Sequence, residues 1–278
     1  MGDLPNQPAV PLPVHGGIVM ARVISIVCQK GGVGKTSSSV NLGVGLARHG
    51  KKVLLIDADS QGSLSLSLGF TDTKRLTDTI ASIMSKIISE SPVDLAKGIL
   101  KQTEGVYVLP ANNDLAAMEM FLVNVYGREG IMREYINLIS PEYDYIIIDT
   151  QPSLGMMTVN ALTACDRVII PVQAEFLAVK GLEQLLTTVS RIKKRINKSL
   201  VIDGIIVTML DERVKESKEL MASVKNAYGG QIHIFGSIPR SIKVSEASKS
   251  GVSIYACAPN SKAAHAYESF TEEVLSRE

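Results

Sequence analysis

Residues 22–39 read RVISIVCQKGGVGKTSSS, and the fold follows from how this stretch is divided. RVISIVC is a near-continuous apolar, β-branched run, the signature of a strand covered on both faces. KGGVGKTSSS is a glycine turn, and the sequence beyond it, NLGVGLARHG, has helical spacing. Strand, glycine turn, helix is the context a phosphate-binding loop requires. Backbone N–H groups of Gly31, Gly32, Val33, Gly34 and Ser37 and the positive end of the helix cradle phosphate oxygens. Lys35 reaches the β- and γ-phosphates, and the Thr36 hydroxyl binds Mg²⁺. The usual pattern G-x-x-x-x-G-K-[ST] has glycine where this chain has Gln29, and a second lysine, Lys30, follows.

Working outward, similar strand-like runs recur at 52–57, 105–109, 144–149, 167–172, 201–209 and 232–238. Helical patterns at about 35–48, 75–88, 113–139, 180–196, 214–227 and 261–275 alternate with them. That order predicts an α/β fold, a mostly parallel twisted sheet flanked by helices on both faces. Residues 1–19 are rich in Pro and Gly without periodicity and are expected to form a disordered leader, with one domain over 20–278. Two strand ends carry carboxylates suited to Mg²⁺. Asp149 closes DYIIID and fits a metal-holding aspartate. Asp57 and Asp59 close KVLLIDAD, and two residues spaced by two on a strand share a face. One would support the metal shell and the other orient the attacking water.

The bulk numbers narrow the class. The chain has 278 residues, a formal net charge of +1, 45% apolar and 5% aromatic residues. A nearly neutral chain has no global field for nucleic acid or membrane, so binding to either needs a local patch. Cys28, Cys165 and Cys257 are widely spaced without a C-x-x-C pair, which argues against a disulfide framework, a zinc site or an iron–sulfur carrier. No apolar run approaches the length of a spanning helix, and the start lacks the basic and apolar regions of a secretion signal.

The motifs KGGVGKT, VLLIDADSQGSLSLSLG, IIIDTQPSLG, VIIPVQAEFLAVKGLEQLL, TMLDER and IPRSIKVSEASKSG together resemble the ParA/Soj family of DNA-partition ATPases, part of the deviant-Walker-A group that includes MinD. The resemblance spans residues 21–275. It implies a slow, partner-stimulated ATPase with ATP and Mg²⁺ as cofactors, located in the cytoplasm on the nucleoid. Lys30 would be the signature lysine, crossing to the ATP of the second subunit in an ATP-dependent homodimer, much as an arginine finger acts in trans. Asp59 would position the hydrolytic water, Asp57 would sit near Mg²⁺, and Asp149 would be the Walker-B aspartate. Thr208 and Pro239 fall where the family holds adenine.

The family dimer binds DNA without sequence preference and answers to a ParB-type partner. Here Arg191, Lys193, Lys194, Arg195 and Lys198, with Lys225, Arg240 and Lys243, are the candidate DNA contacts. Three positions depart from the family pattern: Cys28 for asparagine, Ser60 for proline, and Gln151 for the first proline of DxPPS. The alternative is a MinD-like membrane-cycling regulator. It would need a basic amphipathic C-terminal helix, whereas AAHAYESFTEEVLSRE is acidic, so no membrane partner is expected.

Overall fold

A computed structural model describes residues 20–174, 178–211 and 213–277. The stretch 1–19, expected to be a leader, lies outside them. Seven strands form one sheet: β1 (Arg22–Ile26), β2 (Val53–Ala58), β3 (Leu100–Lys101), β4 (Tyr107–Leu109), β5 (Tyr145–Thr150), β6 (Arg167–Gln173) and β7 (Val201–Thr208). Their spatial order is β3-β4-β2-β5-β1-β6-β7. Every pairing is parallel except β3 with β4.

The helices are α1 (Lys35–Arg48), α2 (Ser63–Ser67), α3 (Ile80–Ile88), α4 (Asp114–Leu122), α5 (Ile131–Ile139), α6 (Met156–Ala164), α7 (Ala178–Arg195), α8 (Lys215–Tyr228), α9 (Ile242–Lys249), α10 (Ile254–Cys257) and α11 (Lys262–Ser276). They cover both faces of the sheet. Because side chains alternate along a strand, each apolar strand feeds two cores. Ile146 and Ile148 of β5 enter the core under α3 to α8, while Tyr145 and Ile147 enter the core under α1 and α11. This double burial is why the strands read as unbroken Val/Ile runs.

β1 lies between β5 and β6, and the chain returns to opposite sides of it. The carboxyl ends of the strands around such a reversal open the crevice where α/β sheets bind ligands. The loop after β1, with Asp149 at the end of β5, sits at that crevice.

Several boundaries differ from the sequence reading. The expected strand 232–238 is no ladder strand. It touches the outer edge of β7 through bridges at Ile205–Ile234 and Leu210–Pro239. Phe235 and Ile238 N–H still donate to Ile205 O and Val207 O of β7, but Gly236 N–H between them donates to Glu273 of α11 at 3.1 Å, and Pro239 has no N–H to extend a ladder. The expected helix 113–139 is two, α4 and α5, because Gly127 adopts φ 68° and Gly130 precedes α5. The helix expected over 75–88 begins at Ile80, where Thr79 and Ser82 form a capping box. The short β3, α2, α6, α9 and α10 were absent from the sequence reading.

Among the described residues no helix is long and apolar enough to cross a membrane. The apolar side of α11 (Ala263, Ala264, Tyr267, Phe270, Val274) is buried in the second core.

Candidate nucleotide and metal site

The glycine turn is shaped by two left-handed residues, Gly32 at φ 74° and Gly34 at φ 81°, a conformation costly for any side chain with Cβ. Gly34 is also the N-cap of α1 and provides no side-chain acceptor, so the first N–H groups of the helix face the crevice. Lys35 folds back across the turn, its Nζ donating to Lys30 O at 3.1 Å. It is buried, and burial lowers its pKa, an effect opposed by Cys28, Asp149 and Asp59. Lys30 is exposed at the rim. Cys28, at the base of the turn, is held as the neutral thiol by burial against the pull of Lys30 and Lys35.

Asp149 is fully buried. Its Oδ2 accepts from Thr36 Oγ1 at 2.7 Å and its Oδ1 from Ser39 Oγ at 2.9 Å. Thus the strand-end carboxylate and the phosphate-loop threonine, 113 positions apart, are in direct contact. Burial raises the Asp149 pKa to about 6, against the pull of Thr36, Ser39 and Lys35. Asp57 stands opposite Asp149 in the β2–β5 register. It is fully buried and accepts from Ser65 N at 2.9 Å and Ser65 Oγ at 2.8 Å, in the first turn of α2. Burial, then the Asp149 charge, pushes its pKa up to about 7.

The expectation that Asp57 and Asp59 share a strand face needs correction. β2 ends at Ala58, so Asp59 lies past the strand and alternation no longer applies. Its Oδ1 accepts from Gln61 N at 3.0 Å, and its N–H donates to Asp57 Oδ1 at 3.2 Å.

This donor set fits a magnesium nucleotide. Two buried carboxylates on adjacent strands repel each other, and a dication would relieve the repulsion. A hydroxyl, Thr36, already touches one of them, and hydroxyl, carboxylate and water oxygens are what Mg²⁺ takes. Beside the turn lies a cavity of about 380 Å³. Thr208 and Pro239 line it together with Gly34 and Ser37. Thr208 Oγ1 donates to Val33 O at 2.8 Å, tying β7 to the turn.

Sequence reasoning missed several residues of this region. Ser39 is one, though it lies one helical turn after Thr36 and so faces the same way. Ser65 is another, in a serine-rich segment without a signal. Met209, Ser245 and Tyr267 line the cavity. Met209 adopts φ 53°, which a sequence does not announce.

The basic candidates divide. Arg191, Lys193, Lys194 and Arg195 at the C-terminal end of α7 and Lys198 in the loop beyond it are all exposed, while Ile192 among them is buried. Lys225 is exposed on α8. Arg240 lines the cavity, and Lys243 pairs with Glu246 at 2.7 Å on α9.

A family model described as an AAA domain matches residues 21–202. The chain is 40% identical over 256 residues to the sporulation initiation inhibitor protein Soj of Bacillus subtilis (strain 168), covering 92% of this chain and 98% of that one. It is 38% identical over 259 residues to the chromosome partitioning protein ParA of Caulobacter vibrioides (strain NA1000 / CB15N), covering 92% and 95%. Among solved structures, cobyrinic acid a,c-diamide synthase from Mycobacterium smegmatis with bound ADP and magnesium superposes with a TM-score of 0.79 at 33% identity, covering 92% and 94%.

Proposed function

The chain belongs to the ParA/Soj-type partition ATPases, and from that membership we propose that it is an ATP-driven dimerisation switch for DNA segregation, with residues 20–278 as its ATPase domain. The observation that carries the reading is the contact of Thr36 with buried Asp149 beneath the glycine turn. It brings the phosphate-side and metal-side halves of a Mg·ATP site together in one chain.

Bound Mg²⁺ would offset the charge of the phosphates and of the carboxylates around it. The chain's own residues then divide the work. The N–H groups from Gly31 to Ser37 hold phosphate oxygens, and Lys35 turns from Lys30 O to the β/γ-phosphates of its own nucleotide. Thr36, Asp149 and Asp57 hold the metal shell, and Thr208 and Pro239 flank the base. Asp59, just past the end of β2 rather than locked in the sheet, orients the attacking water. Lys30 serves the nucleotide of a second subunit from its exposed position. It stabilises charge developing on the transferred phosphoryl group, as fingers in trans do.

Two such chains would bring two basic α7 ends onto one particle, so that ATP converts weak DNA contact into stronger, sequence-independent contact. A ParB-type partner would stimulate hydrolysis and release. The placement of α11 favours this over membrane cycling, because its apolar residues pack inside the protein.

The decisive experiment compares Lys35→Ala and Lys30→Ala by nucleotide binding and by light scattering with Mg·ATP. Lys35→Ala should lose nucleotide. Lys30→Ala should keep it but remain monomeric and lose ATP-dependent DNA retention. Wild-type protein that stays monomeric and ignores DNA with Mg·ATP at low salt would overturn the proposal.

A further inference from the structure

Gln151, the first residue after β5, stands where the family pattern has proline. Proline would stiffen the chain there and offer no polar side chain. Glutamine brings a carboxamide, and the structure gives that group specific partners. Its Nε2 lies 2.8 and 3.0 Å from the two carboxylate oxygens of Glu119 in α4, and 3.0 Å from Ser153 Oγ.

Glu119 does more than receive this group. Its Oε1 also accepts Met157 N–H at 3.2 Å, in the first turn of α6. The N-cap of α6 is Gly155, which has no side chain to satisfy that turn. A Cβ at position 155 would collide with the Glu119 carboxylate, so the glycine is what lets the acid approach. Inside the loop, Gly155 N–H donates to Ser153 Oγ at 3.2 Å and Thr158 Oγ1 donates to Ser153 O at 2.8 Å. On the loop's opposite side Pro152 lies against the phosphate turn, 3.8 Å from where a Cβ on Gly31 would be. Residues 151–155 are therefore held between Gly31 and Glu119, directly after the strand that carries Asp149.

We propose that Gln151 is a positioning residue for ATP hydrolysis. Paired with Glu119, it fixes the loop 151–155 against the phosphate turn and replaces by a charge-assisted contact the stiffness that proline gives the family pattern. The proposal rests on the ATPase reading above. Among the described residues the Gln151 carboxamide bonds to Glu119 and Ser153 and not to Lys35, Asp57 or Asp149, so it acts through the placement of Pro152 and its neighbours. Loss of the pair should therefore lower kcat and leave KM for ATP, set by the turn and the base cavity, nearly unchanged.

The test exchanges the partners. Gln151→Glu sets two carboxylates against each other, and kcat should fall roughly tenfold, the size of one lost hydrogen bond to a charged group. Glu119→Gln should lower it less, since Met157 N–H keeps an acceptor. The double variant Gln151→Glu/Glu119→Gln recreates one amide facing one carboxylate, and kcat should return to within about twofold of wild type, as coupled sites do. KM should stay within about twofold throughout. An exchange variant no faster than the slower single variant, or an effect on KM alone, overturns the proposal.

Amide hydrogen exchange across 151–158 is read in parallel. Protection should drop in Gln151→Glu and recover in the exchange variant; identical protection in all four proteins also overturns it. Wild-type protein without ATPase activity would instead defeat the function proposed above. In that case the exchange data still decide whether the Gln151–Glu119 pair holds the loop.

Discussion

The two buried aspartates make the metal-free protein sensitive to pH in a direction opposite to that of most carboxylates. In the folded chain Asp57 titrates near 7 and Asp149 near 6, against about 3.9 for an unfolded aspartate. The folded state therefore binds more protons than the unfolded state between these values. Stability falls as pH rises through the folded pKa values, because its slope follows the protons bound in the unfolded state minus those bound in the folded state. Each pKa difference of one corresponds to about 1.4 kcal/mol, so of the roughly 7 kcal/mol that ionising both groups costs the apo fold, about 3 kcal/mol is lost between pH 5.5 and pH 8. A chain of this size shifts its Tm by roughly 2–4 °C per kcal/mol, which predicts a drop of about 5–10 °C.

Other groups also titrate, so the measurement is the difference between wild type and Asp57→Asn, followed by calorimetry in EDTA at pH 5.5 and pH 8. At pH 5.5 Asp57 is mostly protonated in the folded chain but ionised in the unfolded one, so the gap between the two proteins should be about half of its value at pH 8. At pH 8 Asp57→Asn should be the more stable protein, since it lacks the buried charge facing Asp149. Excess Mg²⁺ should raise the Tm of wild type at pH 8 and much less at pH 5.5. If Asp57→Asn is less stable than wild type by the same margin at both pH values, the carboxylates are not repelling each other and the argument is wrong.

Two further outcomes can be checked. Replacing Lys193, Lys194 and Arg195 on α7 by alanine should weaken ATP-dependent DNA binding and flatten its salt dependence by about 0.9 in log–log slope per lost phosphate contact; a parallel, unshifted salt plot would place DNA elsewhere. Asp203 is buried between Arg167 at 2.7 Å and Arg277 at 3.3 Å, and Asp203→Ala, which leaves two partly exposed arginines, should destabilise by about 1.5–3 kcal/mol, read by chemical denaturation, with nucleotide affinity unchanged below the transition.

The phosphate loop was fully legible in the sequence because its signal is local. Glycines where φ must be positive, a lysine and a threonine lie within seven consecutive positions, and the helix that follows runs over 35–48 as expected. The doubly covered strands were legible for a similar reason, since burial on both faces leaves an unbroken apolar run. What escaped depended on contacts between distant residues. The segment 232–238 has strand composition and bonds to β7 at Phe235 and Ile238, yet Gly236 between them turns its N–H to Glu273 and interrupts the ladder. The partner of Asp57 is Ser65, which its sequence neighbours give no reason to single out. Asp59 was misplaced by extending strand alternation one residue past the point where the strand stops. The pairing of Gln151 with Glu119 spans 32 positions and two elements, and only the departure from proline hinted that the position mattered.

The packing of α1 against the second core also sets an order of events during synthesis. The phosphate turn leaves the ribosome early, but the helix it starts is buried against Tyr255, Tyr267, Phe270 and Val274. Tyr267 also lines the cavity beside the turn. At 5–20 residues per second, the turn waits roughly 10–50 s for these residues to be made. A nascent chain therefore carries every phosphate-binding residue for most of its synthesis without the surface that holds them in place. Nucleotide binding should then report that residues up to the last turns of α11 have emerged and docked.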